Sequence, residues 1–366
     1  MLRRIQLLSL LVFALFTLSA CSISFESSGS ANTRTNGGVY KSGTSGETWR
    51  QTTGIATVGN KTLTFSNENV ITLAIDPQDN KAVYVGTESG GMIFSYDAGS
   101  TWQVAHNLGK RKIQAIAISP INKCVIFTAS ANKIFKSTDC NRNWDEIYFD
   151  NNTAISINSI AFDPTNENTI YAGTSRGEII VSVNGGKSWT VLNRFDDSKK
   201  SNDNIVTKVV VNEKNSNIIW VTTSGSGVYR SDNRGKTWQG FMEEFAEIHT
   251  NNANKINDIA LSQSDGKVVI IATDAGLIRS FDNGTHWQLI DLIPPSGKTV
   301  INRVAIFKKD QKRIYYTTDT SFGWSEDGGT TWSSKKLPTS RRGISLIVDE
   351  VNPDVVYLGV KAVVEN

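Results

Sequence analysis

The octapeptide Ser231-Asp-Asn-Arg-Gly-Lys-Thr-Trp238 decides the fold, because variants of it return six more times along the chain. The other copies are SGTSGETW (42–49), SYDAGSTW (95–102), STDCNRNW (137–144), SVNGGKSW (182–189), SFDNGTHW (280–287) and SEDGGTTW (325–332). Successive closing tryptophans are 42 residues apart at the shortest (Trp102 to Trp144) and 53 at the longest (Trp49 to Trp102). A period of this length is typical of a four-stranded propeller blade.

The shared pattern, S-x-D-x-G-x-T-W, resembles the Asp box, which is the BNR repeat of sialidases, sortilin and the xyloglucan-active hydrolases. A short Asp or Asn side chain accepts hydrogen bonds from amides of its own turn, Gly permits a positive φ, and Trp buries a large ring. Thr44 and Asn141 depart from the pattern, so we expect looser turns in the first and third copies. The resemblance implies that the boxes are structural and lie away from any active site. The predicted structural residues are Asp97, Trp102, Asp139, Trp144, Asn184, Trp189, Asn233, Trp238, Asp282, Trp287, Asp327 and Trp332.

Runs rich in β-branched and aromatic residues recur between the boxes, as in INSIAFD (157–163) followed by IYAGT (170–174). Only GGVYKS (37–42) precedes the first box, whereas ISLIVD (344–349) and VVYLGV (355–360) follow the last box. Two strands from each end would therefore complete one blade and close the ring. The predicted fold is all-β, a seven-bladed β-propeller of four-stranded antiparallel blades; an unclosed solenoid is the alternative.

The N-terminus has the features of a lipoprotein export signal. Arg3 and Arg4 precede an apolar run that is short for a membrane span, and the run ends in Leu-Ser-Ala-Cys21. This tetrapeptide resembles the lipobox of bacterial lipoproteins, in which the cysteine sulfur is acylated. We therefore predict a signal peptide at 1–20, a lipidated Cys21 with a polar tether at 21–36, and the propeller at 37–366. The lipid would hold the chain on the outside of the cytoplasmic membrane, or in the outer membrane if there is one; an ordinary secretory signal with an incidental cysteine is the alternative.

Composition excludes several classes of function. The net charge is +3, which includes Arg3 and Arg4 of the predicted signal, so no basic footprint for nucleic acid is expected. Three cysteines and three histidines give no metal or haem spacing, and no cofactor is predicted. Cys124 and Cys140 would face each other if the hairpin between them turns at Ala131 and Asn132, so we predict a disulfide, with two separate thiols as the alternative. We expect a monomer.

The candidate binding surface is the propeller face opposite the boxes. In a blade of this strand order, the loops between blades open on that face, and loops on a rigid scaffold are where recognition usually lies. The longer of these loops are 52–69, 194–204, 243–255 and 293–299. Lys208, Asp258 and Arg303 come from successive inner strands and are expected at the channel mouth. They form either a structural salt-bridge ring or a site for a small anionic or polar ligand.

The sequence favours a binding module over an enzyme. It lacks the Arg-Ile-Pro segment and the arginine triad that a sialidase would require, and sialidases resemble six-bladed rings. The xyloglucan-active hydrolases resemble two tandem rings, whereas this chain predicts one. In outline the chain is similar to the photosystem II assembly factor family and to sortilin's ectodomain, which implies a protein or glycan partner. The alternative is a glycan-active hydrolase that uses acidic loop residues on the candidate face, which are Asp196, Asp197, Glu243, Glu244 and Glu247.

Overall fold

The computed structural model describes residues 35–57, 63–195, 204–248, 253, 255–292 and 300–363. The predicted lipidation residue Cys21, the acidic pair Asp196 and Asp197, and the loop 293–299 lie outside the described residues. Among the described residues, no helix combines the length and the apolar character that a membrane crossing requires.

Seven antiparallel four-stranded sheets make up the fold, and each sheet is one blade. We number the blades by their Asp boxes and give the strands from the innermost outward. Blade 1 consists of Arg342–Val348, Val356–Lys361, Gly38–Ser42 and Arg50–Gln51. Blades 2 and 3 consist of Val70–Asp76, Asp79–Thr87, Met92–Ser95 and Gln103–Val104, and of Ala115–Ile118, Ile126–Ser130, Lys133–Ser137 and Asp145–Phe149. Blades 4 and 5 consist of Ile157–Asp163, Asn166–Thr174, Glu178–Ser182 and Thr190–Arg194, and of Val206–Val211, Ile219–Thr223, Val228–Ser231 and Gln239–Gly240. Blades 6 and 7 consist of Ile256–Leu261, Val269–Thr273, Gly276–Ser280 and Gln288–Leu289, and of Arg303–Ile306, Ile314–Thr317, Ser321–Ser325 and Ser333–Lys336.

Blade 1 confirms the predicted closure of the ring. Its third strand, Gly38–Ser42, pairs over its full length with Val356–Lys361, so that N-terminal and C-terminal strands share one sheet. The inner strand of blade 1 contacts the inner strands of blades 2 and 7. The ring is therefore continuous through blade 1, which strands from both ends of the described chain complete.

Hydrophobic clusters between adjacent blades hold the ring together. The box tryptophans contribute to these clusters by packing against the preceding blade. Trp287 of blade 6 meets Trp220 of blade 5 edge to face at 5.9 Å, and Trp49 of blade 1 meets Phe322 of blade 7 at 5.0 Å. Each box thus places a large apolar ring between blades, where aromatic pairs stabilise by about 1 kcal/mol beyond the area that they bury.

Two of the expected long loops contain regular structure. The segment 52–69 includes a short hairpin of Gly54–Ile55 with Leu63–Thr64, and Met242–Ile248 is an α-helix. The helix forms because Phe245 is fully buried, with its ring 5.0 Å from that of Trp287. A 3-10 turn, His106–Leu108, leads from blade 2 towards blade 3.

Candidate functional site

All seven Asp boxes close with the same two hydrogen bonds. The Oγ of the first-position serine accepts the N–H of the fifth residue at 2.7–3.0 Å in every copy. The third-position side chain accepts the N–H of the seventh residue at 2.8–3.0 Å in every copy. Thr44 Oγ1 replaces the carboxylate oxygen in the first copy, and Asn141 adopts φ +68° where the other copies have glycine. The expectation of looser turns in these two copies is therefore wrong, because both keep the full pair of bonds.

Each box also forms a hydrogen bond to the hairpin made by the first and second strands of its own blade. The fourth residue of every copy has a positive φ, and its N–H donates at 2.8–3.2 Å to a carbonyl in the turn between the first and second strands or in the first residues of the second strand. In blade 3 the two residues so joined are Cys140 and Cys124, and their sulfurs are bonded as a disulfide. The hairpin turns at Ala131 and Asn132, as the sequence prediction assumed.

The box carboxylates are saturated by their own turns. Asp327 accepts hydrogen bonds from the Thr331 hydroxyl and amide and from the Ser325 hydroxyl, and these bonds lower its pKa to about 2. The Asn143 amide and side chain likewise lower the pKa of Asp139 to about 2. A carboxylate held in this way stays ionised and points into its turn, so it is a poor acid, base or nucleophile. The arrangement supports a structural role for the boxes.

The candidate site lies at the other end of the ring axis. A cavity of about 610 Å³, which we call the axial cup, is lined by inner strands of all seven blades, including Ile71, Asn158, Lys208, Asn257 and Ile344. These residues lie in the halves of the inner strands nearer the face opposite the boxes. The cup therefore lies towards the face that the sequence selected.

A repeated β-bulge shapes the axial cup. In five inner strands one residue is skipped in the pairing register, and these residues are Ile71, Asn158, Thr207, Asn257 and Ile344. All five line the cup. A bulge re-aims side chains that regular alternation would direct elsewhere, and bulges are common next to binding sites. Sequence reasoning missed this feature, although the Ile-Asn pair at 157–158 and 256–257 marks two of the five positions.

Lys208 and Asp258 meet at the predicted place. Lys208 Nζ donates to Asp258 Oδ1 at 2.7 Å and to the Ile259 carbonyl at 2.9 Å. Asp258 Oδ2 accepts the N–H of Val304 in the next blade at 3.2 Å. Asp258 is thus occupied on both oxygens, and it ties blade 6 to its two neighbours.

Arg303 reaches the cup without joining that pair. Its guanidinium donates to the carbonyls of Asn257 at 3.0 Å and of Ile344 and Asn302 at 2.5 Å. Two serines occupy the position of Asp258 in other inner strands, and they also bond to the next blade. Ser159 Oγ of blade 4 accepts the Val209 N–H of blade 5 at 2.9 Å, and Ser345 Oγ of blade 1 accepts the Leu73 N–H of blade 2 at 3.0 Å. The structural interpretation therefore accounts for the contacts of all three predicted residues.

The lining of the cup is electropositive. It includes Lys112, Lys208 and Arg303, and within the described part of the chain its single carboxylate is Asp258. Near the box end, Lys308 of blade 7 bonds Glu213 of blade 5 at 3.0 Å and Glu350 of blade 1 at 2.5 Å. Burial opposes protonation of Lys308, but the two carboxylates outweigh it and raise its pKa. These two ion pairs, which we call the Lys308 bar, link blades 5, 7 and 1 at the end of the ring remote from the cup.

The helix Met242–Ile248 borders a second cavity, of about 550 Å³, with Tyr229, Glu243 and Glu244 in its lining. Glu247 lies on the same helix. No group of three metal-ligating side chains occurs among the residues that the structure describes.

Comparisons with known proteins match the fold. The model of the Sortilin-Vps10 family (sortilin, neurotensin receptor 3) matches residues 90–195. A xyloglucanase from Hypocrea jecorina is 26% identical in an alignment of 212 residues that covers 46% of this chain and 25% of that enzyme. An oligoxyloglucan-reducing end-specific xyloglucanase from Emericella nidulans is 24% identical in an alignment of 155 residues that covers 36% of this chain and 19% of that enzyme. The matched regions thus cover a quarter or less of these relatives.

Solved structures extend the match over most of the chain. The GH74 enzyme of Niastella koreensis aligns with a TM-score of 0.64 at 19% identity, over 84% of this chain and 53% of that one. YCF48 from Cyanidioschyzon merolae aligns with a TM-score of 0.60 at 16% identity, over 80% of this chain and 95% of that one. A structure of YCF48 bound to a D1 peptide aligns with a TM-score of 0.59 at 13% identity, over 80% of this chain and 94% of that one. This chain is accordingly a seven-bladed Asp-box β-propeller, and the GH74 enzyme and YCF48 are similar to it in fold.

Proposed function

We propose that the chain is a membrane-anchored extracytoplasmic lipoprotein that binds a partner or scaffolds its assembly through the axial cup. The observation that carries the proposal is the electropositive cup, in which the carboxylate of Asp258 already binds Lys208 and the Val304 amide. A cavity whose cations and walls are fixed by hydrogen bonds to the backbone suits a polar or anionic segment of a protein or glycan. The lipobox-like Cys21 supports the location, because acyl chains on that sulfur would anchor the ring at a membrane.

Filling the cup tests this function. Ile71→Trp adds bulk at a bulge residue of the cup, whereas Val351→Trp adds the same ring at an exposed position on the box face. Each chain carries a C-terminal tag and is purified from native membranes, and the co-purified proteins and glycans are identified by mass spectrometry. We expect Val351→Trp to retain the partner and Ile71→Trp to lose at least about 90% of it, since a loss of about 1.4 kcal/mol is tenfold in affinity. Equal capture by both variants would place the site elsewhere.

The second candidate function is glycan hydrolysis, which the similarity to xyloglucanases favours. The residues to carry it are Glu243 and Glu244, which line the cavity beside the helix Met242–Ile248. A glycosidase needs two carboxylates about 5–9.5 Å apart on either side of the scissile bond. Release of reducing ends from xyloglucan oligosaccharides by the wild-type chain, abolished by Glu243→Gln or Glu244→Gln, would establish hydrolysis in place of binding. Our proposal predicts no release.

A further inference from the structure

The described chain begins on the same face as the axial cup. Residues 35–37 precede the third strand of blade 1, and the strand runs from that face towards the first box. The start is fixed by hydrogen bonds, since Gly37 N–H donates to the Ser66 carbonyl at 2.7 Å and Arg341 Nε donates to Asn36 Oδ1 at 3.1 Å. A chain that leads from the membrane to Thr35 therefore arrives on the cup face.

Basic residues surround this arrival point. We call Lys110, Arg111, Lys112, Arg341, Arg342 and Lys361 the basic sector. They lie in the loops that enter blades 1 and 3, at the start of the inner strand of blade 1 (Arg342) and at the end of its second strand (Lys361), all on the cup face.

Contacts make the basic sector continuous across blades 1 and 2. Arg341 Nη1 donates to Asn69 Oδ1 at 2.8 Å, and Asn69 Nδ2 donates to Glu88 at 2.7 Å. Lys361 donates to the same Glu88 at 2.6 Å. Lys112 also acts on Glu88, because its charge contributes, after those hydrogen bonds, to lowering the pKa of that carboxyl.

The basic sector carries more positive than negative charge. Among the described residues, its nearby carboxylates are Glu68, Glu88 and Asp319. Lys361 is paired with Glu88, and Arg342 is paired with Asp319 at 2.7 Å. The Arg111 guanidinium lies 4.6 Å from the centre of the Phe135 ring, and Arg341 bonds amide and carbonyl oxygens. Among the described residues, the sector thus has six cations and three nearby carboxylates, an excess of three positive charges within the sector.

We propose that the basic sector binds the anionic phospholipid headgroups of the membrane to which Cys21 is anchored. The inference deepens the proposed function and rests on it for the anchor. Thr35 follows Cys21 by 14 residues, so an extended chain between them spans at most about 50 Å. The charge of anionic headgroups complements that of the basic sector, and each basic residue near a surface of such headgroups strengthens binding about fivefold. An acyl anchor and a basic surface are the two signals that together hold a protein firmly on a membrane.

Amine labelling of the full acylated chain tests the contact. The chain is reconstituted in vesicles of phosphatidylcholine alone or with roughly one-third phosphatidylglycerol, and labelling of each lysine is followed by mass spectrometry. Lys112 and Lys361 report on the basic sector, and Lys187 and Lys267 report on the exposed box face. We expect the anionic vesicles to slow labelling of Lys112 at least about fivefold, to leave Lys187 unchanged, and to lose the effect in about 1 M salt.

A matched pair of variants assigns the effect to charge. Lys110→Gln with Arg111→Gln removes two sector charges, whereas Lys236→Gln with Lys309→Gln removes two exposed charges from the box face. The first variant should lose the protection of Lys112 and the second should keep it.

Three other results have defined meanings. Equal labelling of Lys112 on both kinds of vesicle would overturn the proposal. Protection in native membranes alone, and not on protein-free anionic vesicles, would overturn it in favour of an acidic protein. An intact mass without acyl chains on Cys21 would contradict the proposed function, but it would leave anionic vesicles able to protect Lys112, so the two failures are distinguishable.

Discussion

At the scale of single residues, three different side chains at the third position of the Asp box accept the same hydrogen bond. Asp327, Asn184 and Thr44 each accept the amide of the residue four positions later, at 2.8, 2.9 and 3.0 Å. Where this residue is an aspartate, the acceptor is also ionisable, and the hydrogen bonds that it accepts favour its charged form. Four boxes have a carboxylate, namely those with Asp97, Asp139, Asp282 and Asp327, and three do not.

Because of these four carboxylates, we expect the free energy of unfolding to depend on pH in the acidic range. Their pKa values are lowered in the folded chain, to about 2 for Asp139 and Asp327. A lowered folded pKa contributes stability that is present above the unfolded value near 4 and is lost as the pH falls through about 2. We predict that the thermal midpoint of the wild-type chain falls between pH 5 and pH 2 more steeply than that of a chain with Asn at all four positions. Melting followed by circular dichroism measures both curves, and parallel curves would show that the box carboxylates are not involved.

The box residues could be predicted from sequence, whereas the contacts of the cup could not. A short polar side chain followed by Gly and Trp at fixed offsets specifies a turn by itself. Thr207 and Asn257 are bulge residues, and a bulge is one inserted residue that the alternation of a strand does not reveal until its partner strand is known. Arg303 binds carbonyls, which every residue carries, so its side chain gave no signal for its partners.

At the scale of elements, a cation at the end of the third strand latches one blade to the next. Lys41 Nζ donates to the Ala98 carbonyl at 2.8 Å, and Lys136 Nζ donates to the Gly185 carbonyl at 2.9 Å. Arg230 and Arg279 reach the carbonyls of Asn283 and Gly328 in the same way. Each accepting carbonyl belongs to the fourth residue of a box, so the box turn that closes one blade also receives its neighbour.

Removing one latch tests its contribution to the free energy of unfolding. We predict that Lys136→Met lowers it by about 1 kcal/mol, because the substitution keeps most of the apolar stem and loses one charge-assisted hydrogen bond at a partly buried site. Lys133→Met on the same strand is the control, since its ion pair with Glu146 is exposed and should contribute less than about 0.5 kcal/mol. Urea unfolding of the three chains gives the comparison. An equal effect of the two substitutions would mean that the latch contributes nothing beyond an ordinary surface contact.

The strand boundaries could be predicted from the sequence where the repeat pattern recurs between the boxes. The inner strand Ile157–Asp163 begins and ends where the sequence predicted. The segment Met242–Ile248 was predicted as loop and is helical, because its seven residues are too few to show a helical period. Burial of Phe245 against Trp287 stabilises this helix, and that is a tertiary contact.

At the scale of the whole molecule, closure of blade 1 gives the ring two distinct faces. The Asp boxes and the Lys308 bar lie on one face, while the axial cup, the basic sector and residues 35–37 lie on the other. Closure could be predicted because the missing strands of blade 1 were present at the other end of the sequence. The basic sector could not, because its loops are far apart along the chain and meet only when the ring is closed.

Site-specific photo-crosslinking in intact cells tests the central claim, that the partner binds the cup face, most directly. A photoreactive residue is placed at Thr207 or Ile344 in the cup, and at Val183 or Phe281, which are exposed on the box face. Adducts are resolved by mass and identified by mass spectrometry. We predict one shared partner adduct from both cup positions and none from the box positions. The same adduct from Val183 or Phe281, with none from Thr207 and Ile344, would contradict it.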